Sequence, residues 1–204
     1  MDMVNHHADH PGFSGITGAL CGIAFLLVGR RHAELAVEVI RPGIGDHLVD
    51  IGCGPGNAAR AAARCGARVT GVDPAPVMLR IARAATRRGA DITWADGGAE
   101  SLPLPDGSAT AVWALATVHH WRDVSAGLAE VHRVLAAGGR LLAVERKSPP
   151  NARGLAGHGW TVRQAEQFAD MCRTAGLNAV EVRDRDSLWT VTARRGADPG
   201  PALR

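Results

Sequence analysis

The 204-residue chain contains no tyrosine, only three phenylalanines and five tryptophans, so nothing in it specifically indicates a large, flat aromatic ligand. Lysine is nearly absent too: Lys147 is the only one, and arginine supplies the other cations. The formal net charge is only +3, and short pairs such as Arg87-Arg88 and Arg194-Arg195 read as solvated element ends. They do not form a stripe that could track phosphates, which argues against a nucleic-acid partner. The four cysteines (Cys21, Cys53, Cys65, Cys172) form no Cys-x-x-Cys pair, which argues against a zinc or disulfide framework and for buried, reduced thiols. No basic leader precedes an apolar run and cleavage site. The most apolar stretch, Ile16 to Val28, carries two glycines and a Thr and is well short of the ~20 residues that span a bilayer. These absences leave a cytoplasmic protein without stable membrane insertion as the expectation. Hydrophobic residues make up 46%, enough for the core of one domain of this length.

Residues 1–13 read as a mobile arm, its first dozen polar and His-rich and ending in Pro11-Gly12; residues 197–204 read as a loose tail. Between them the pattern predicts one domain over 14–196. A covering helix is expected from Ser14 to Ile40, stopped at Arg41-Pro42-Gly43. Apolar strands at 47–51, 68–72, 91–94, 110–115 and 140–145 alternate with helices at 57–65, 75–88 and 124–135, the last capped by Gly138-Gly139. Thr161-x-x-Gln164 has the form of a capping box and opens a further helix to Ala175. Residues 180–183 and 188–192 alternate as an antiparallel hairpin. Strands alternating with helices predict an α/β fold, a doubly wound, Rossmann-like parallel sheet covered on both faces.

The first strand runs into Val49-Asp50-Ile51-Gly52-Cys53-Gly54-Pro55-Gly56. Glycines there let the backbone turn sharply and approach a ligand without Cβ clashes. In an open α/β sheet, ligands sit at the carboxyl ends of the strands. The spacing is Gly-x-Gly-x-Gly with Pro55 inside, whereas the dinucleotide fingerprint would place its third glycine at Asn57. Asp50 would repel a pyrophosphate but attract an ammonium group. Both details favour a zwitterionic, amino-acid-like ligand. Asp73, before Pro74 at the end of the second strand, can accept hydrogen bonds from two ribose hydroxyls; a surface turn is its plainer reading.

Five blocks in order then carry a resemblance: 49–56, Gly-Val-Asp-Pro-Ala-Pro-Val-Met-Leu (71–79), Gly-Ala-Glu-Ser-Leu-Pro-Leu-Pro-Asp-Gly-Ser (98–108), Ala-Thr-Val-His-His-Trp (116–121) and Glu-Val-His-Arg-Val-Leu-x-x-Gly-Gly-Arg-Leu-Leu (130–142). Across residues 45–145 the chain resembles the class I S-adenosylmethionine (SAM) dependent methyltransferases, in the small single-domain branch similar to ubiquinone/menaquinone-type enzymes. The resemblance implies seven strands with the last antiparallel, and SAM as cofactor. Asp50, Gly52, Cys53, Gly54 and Gly56 would take the methionine moiety, with backbone near Leu115 and Ala116. Asp73 and Pro74 would take the ribose, and Gly98, Ala99 and Glu100 the adenine. Family members often carry an Asp where this chain has Gly98, which leaves the adenine to backbone near Ala99, to packing, or to Asp96.

Candidate acceptor-side groups follow the fourth and fifth strands. An imidazole at His119 or His120 can act as general base near neutral pH, and Glu145 can orient a hydroxyl or amine. The plainer readings are a packed or capping His, a core-covering Trp121, and a Glu145 paired with Arg146. His158 and Trp160 lie in the Gly-rich loop beyond. The His6-His7-x-Asp9-His10 arm reads as a simple tract or a lid, and no metal is assigned. The expectation is methyl transfer to a small-molecule acceptor, first a hydroxyl of a sugar- or phenol-like metabolite, alternatively a carbon of a quinone-like one. The covering helix could also form a homodimer face. A SAM-binding module without catalysis and an NAD(P)-dependent oxidoreductase are the rivals from other classes.

Overall fold

The computed structural model describes residues 4–5, 30–150, 152 and 158–197. The first half of the expected covering helix, residues 14–29, most of the arm and nearly all of the tail lie outside them. Helix α1 (Arg30–Ile40) is followed by β1 (His47–Ile51), α2 (Asn57–Arg64), β2 (Arg68–Asp73), α3 (Pro76–Ala85), β3 (Ile92–Asp96) and β4 (Ala109–Leu115). A single 3-10 turn (Val118–His120) leads to α4 (Val124–Val134), β5 (Leu135–Arg146), α5 (Val162–Thr174), β6 (Leu177–Arg185) and β7 (Leu188–Arg195).

The seven strands form one sheet in the order β3-β2-β1-β4-β5-β7-β6. β1 pairs in parallel with both β2 and β4, so the strand order reverses beside β1. β7 runs antiparallel between β5 and β6, the antiparallel last strand that the resemblance implies. Side chains alternate across the strands and sort into two cores. Val49, Ile51, Val112, Leu141 and Val191 face α4 and α5, meeting Leu128, Val131 and Phe168. Leu48, Val69, Trp113, Leu142 and Val144 face α1 and α2, meeting Ala36, Ile40, Ala59 and Ala62.

Element types agree with the sequence reading, and boundaries differ where backbone irregularities intervene. β5 begins at Leu135, five residues earlier than the apolar run suggests. Gly138-Gly139 does not cap α4: it lies within the strand, where the β4–β5 register shifts between Ala109 and Ala111. β6 starts at Leu177 and is interrupted between Asn178 and Glu181, where Ala179 takes a positive φ of 49°. The capping box on α5 is present: Thr161 Oγ1 accepts from Gln164 N, and Gln164 Oε1 accepts from Thr161 N.

Candidate active site

The cofactor-side and acceptor-side residues nominated from the sequence lie at the carboxyl edge of the parallel strands, in two adjoining groups, while His6, His7, Asp9 and His10 lie outside the described residues. The first is the glycine loop between β1 and α2. Gly52, Gly54 and Gly56 all have positive φ (65°, 52° and 82°). At Gly52 a Cβ would lie 2.1 Å from Thr117 Oγ1, so the loop touches the turn after β4. At Gly54 it would meet nothing within 4 Å, so this stretch of backbone borders open space. Asp73 closes the loop: its Oδ2 accepts from Gly54 N (2.8 Å) and its Oδ1 from Ala75 N (2.8 Å). Each oxygen keeps a second lone pair for a ligand hydroxyl. Burial raises the Asp73 pKa, with the neighbouring Asp96 charge adding to the rise and the two amides opposing it. Pro74 is exposed.

Asp50 points into the sheet face covered by α2 and is 2% exposed. Burial pushes its pKa up to about 7, against the opposing pull of the Trp113 indole and the Ala59 amide. Its Oδ2 has no hydrogen-bond partner. A buried carboxylate oxygen without a donor is costly, and a cationic ligand group is what would relieve it. Cys53 is a packing group: its thiol is buried and its pKa raised well above the usual value by that burial.

The loop after β3 carries Gly98, Ala99 and Glu100. Ala99 is buried, packed near Gly127 of α4. Glu100 faces the protein: its Oε1 accepts from the amides of Arg122 (2.7 Å) and Asp123 (3.2 Å). Asp96 is exposed beside Asp73 in the β2–β3 register. The motif residues Glu130 and Arg133 hold this loop from α4. Leu102 N donates to Glu130 Oε2, and the Arg133 guanidinium donates to the carbonyls of Leu102 and Leu104 and to Asp106.

The second group sits over the ends of β4 and β5. Ala116 leaves β4 with φ 53°, unusual for a residue with a Cβ and worth about 1–2 kcal/mol of strain. The 3-10 turn that follows brings His119 onto Glu145. His119 Nδ1 lies 2.8 Å from Glu145 Oε2, while Glu145 Oε1 accepts from Val118 N (3.0 Å) and His119 N (3.4 Å). Both side chains are buried, at 3% and 0% exposure. Glu145 therefore pairs with His119, not with its neighbour Arg146. Desolvation lowers the His119 pKa, but the Glu145 charge and hydrogen bond outweigh it and raise it overall.

His120 stacks at 4.1 Å from His119 between ring centroids. His158 joins them at 5.7 and 5.9 Å. It is placed there by the returning loop: Trp160 N donates to Arg146 O and Ser148 N to Trp160 O. Gly159 permits the return, since a Cβ there would lie 2.3 Å from Arg146 O. Trp121 and Trp160 belong to the core at 4% and 0% exposure. Two residues of the arm are packed here. The Trp160 indole donates to Val4 O (3.1 Å), and the Asn5 amide donates to the carbonyls of Trp121 and Arg122.

The sequence reading did not nominate His32. It lies on α1, feels the charges of Glu145 and Arg146, and has a buried Nε2 without a partner. Its pKa is lowered, first by burial. No motif surrounds it in the sequence, because only the docking of α1 brings it to the strand ends.

These features meet a family pattern. Residues 49–143 match the family of methyltransferase domains. The chain is 36% identical over 113 residues to a ubiquinone/menaquinone biosynthesis C-methyltransferase of Rubrivivax gelatinosus, an alignment covering 55% of this chain and 44% of that one. It is 35% identical over 141 residues to a malonyl-[acyl-carrier protein] O-methyltransferase of Serratia marcescens, covering 69% and 53%. The chain thus spans about half the length of the curated relatives it matches. In fold it resembles Haemonchus contortus phosphoethanolamine N-methyltransferase 2, solved with phosphomonomethylethanolamine and S-adenosylhomocysteine (TM-score 0.74, 16% identity, 88% of this chain and 58% of that one). Among the described residues no helix is long and apolar enough to cross a membrane.

Proposed function

We propose that the chain is a SAM-dependent methyltransferase acting on a small phenolic acceptor of the hydroquinone class, with carbon as the methylated atom. The observation that carries this reading is the buried His119–Glu145 pair standing over the strand ends beside the glycine loop. The name of the C-methyltransferase relative favours carbon over the hydroxyl that composition and motifs put first.

The residues of the first group fit the cofactor. Asp50 offers an unpartnered buried oxygen to the α-ammonium, Gly54 offers backbone bordered by open space, and Asp73 offers two remaining lone pairs to the ribose. Gly52, Cys53 and Gly56 shape the loop, and Pro74 starts the turn beyond Asp73. The backbone of Gly98 and Ala99 borders the adenine, while Glu100 positions that loop through Arg122 and Asp123. Ala116 presents its backbone to the methionine end. When bound, SAM supplies a methyl group on a positively charged sulfur.

The protein has two tasks in the transfer: to hold the acceptor in line and to take its proton. With Nδ1 held by Glu145, His119 receives the phenolic proton at Nε2, and the carboxylate stabilises the resulting imidazolium. The phenolate would carry electron density onto its ortho carbon, which would accept the methyl group of bound SAM as S-adenosylhomocysteine leaves. The ring proton would then pass to solvent, restoring aromaticity, and the protonated His119 would return its proton to the phenolate oxygen. His120, in contact with His119, lines the same side.

Incubation with isotopically labelled SAM and a demethylated naphthohydroquinone, followed by NMR of the product, tests the reading. A ring methyl supports it. A methyl ether would move the assignment to oxygen, the reaction named for the Serratia relative. No transfer to any phenol, with S-adenosylhomocysteine still bound, would overturn the acceptor class.

A further inference from the structure

We infer that His119, His120 and His158 form a binding site for one divalent transition-metal ion of the zinc class. Each offers a ring nitrogen, and the three ligand-capable atoms all lie within 4.8 Å of one another. Tetrahedral bonds of about 2.0–2.1 Å put ligand nitrogens roughly 3.3 Å apart, so modest ring rotations close the set. His120 and His158 are half-buried, and His158 sits on a loop, which leaves room for such movement.

Three imidazoles and no thiolate select zinc, cobalt, nickel or copper over magnesium or calcium. Three protein ligands rather than four describe a site with an open coordination position. The outer contacts are also those of a metal site. Glu145 lies 2.8 Å from His119 Nδ1 and is itself held by the amides of Val118 and His119. A carboxylate that accepts a hydrogen bond from Nδ1–H fixes the tautomer with its lone pair on Nε2 and orients the ring towards a metal. Gly159 and the Trp160 hydrogen bonds fix the approach of the third ligand from a segment nearly forty residues away in sequence.

Metal binding itself does not depend on the methyltransferase reading; its use does. On that reading the open position takes an acceptor oxygen. The ion then lowers the hydroxyl pKa, so the phenolate forms on the metal and its proton passes to solvent. His119 is then a metal ligand, and general-base chemistry at its Nε2 belongs to the metal-free protein.

The test is isothermal titration of the chelator-stripped, untagged full chain with Zn²⁺, and with Co²⁺ followed by its visible absorption. One saturable equivalent is expected. His120→Ala and His158→Ala should each weaken it at least tenfold, and Glu145→Gln by about 10–100-fold. A His6/His7/His10→Ala triple variant should bind like the parent chain. Thermal unfolding and S-adenosylhomocysteine titration of each variant check that the fold is retained. No saturable binding, binding indifferent to His120 and His158, or binding lost in the arm variant overturns the inference. Failure to bind S-adenosylhomocysteine, with metal binding intact, would sink the proposed function and leave this site standing.

Discussion

Asp50 carries a cost in the ligand-free fold, because one of its buried oxygens has no hydrogen-bond partner. A carboxylate with its pKa raised to about 7 binds more protons folded than unfolded between roughly pH 4 and 7, so the fold loses stability as pH rises through that window. Asp50→Asn removes the buried charge. It should stabilise the ligand-free protein at pH 8 by about 1–3 kcal/mol in chemical denaturation while weakening S-adenosylhomocysteine binding. A loss of stability, or unchanged affinity, would show that the carboxylate is not waiting for a cation. Affinity in the parent protein should also fall below about pH 7, as Asp50 takes up its proton.

His119 has the opposite sign. Its pKa is raised because Glu145 outweighs burial, so its ion pair stabilises the fold fully below the unfolded histidine value near 6.5. That contribution is lost as pH rises through the folded value. Glu145→Gln leaves burial unopposed. The acid limb of the pH–rate profile, measured without metal, should move to lower pH, with maximal turnover down by about 10–100-fold. An unshifted limb would remove His119 as the titrating base.

At the scale of elements, α4 is the support of the loop after β3. Its Arg133 ties Leu102, Leu104 and Asp106, and its Glu130 ties Leu102. Arg133→Ala, though its side chain is assigned no cofactor contact, should weaken S-adenosylhomocysteine binding by about 1–2 kcal/mol by loosening residues 97–106. Calorimetry showing parent affinity would disprove that support. The block 130–142 was legible as a family signature, but its work was not, because Glu130 and Arg133 act on a segment nearly thirty residues upstream. Strands were legible from apolar runs. Their true starts at Leu135 and Leu177 were not, since Gly138 and Ala179 break the register inside the strands. The place and backbone conformation of the glycine loop were readable because its residues are contiguous in sequence. The partnership of His119 with Glu145 and with His158 was not, because β4, β5 and the returning loop meet only in the folded sheet.

For the molecule as a whole, the second group depends on distant segments meeting at Trp160. Its indole donates to Val4 O, its backbone pairs with Arg146 and Ser148, and its carbonyl accepts from the Trp189 indole. Gly159→Ala drives a Cβ into Arg146 O and should cost about 1–3 kcal/mol of stability. Turnover should fall with it, while S-adenosylhomocysteine affinity stays near that of the parent chain. Equal loss of both would mean that the two groups are one unit.

The position of Trp189 on the inserted antiparallel strand sets a timetable for the growing chain. Residues 47–133, from β1 through the supporting arginine of α4, leave the ribosome before Trp160 and Trp189 and contain the pieces of the glycine-loop side. The wall at Trp160 stays without its last hydrogen bond until β7 slots between β5 and β6. Synthesis thus completes the glycine loop and its supporting helix well before the strand that braces the wall beside the histidines.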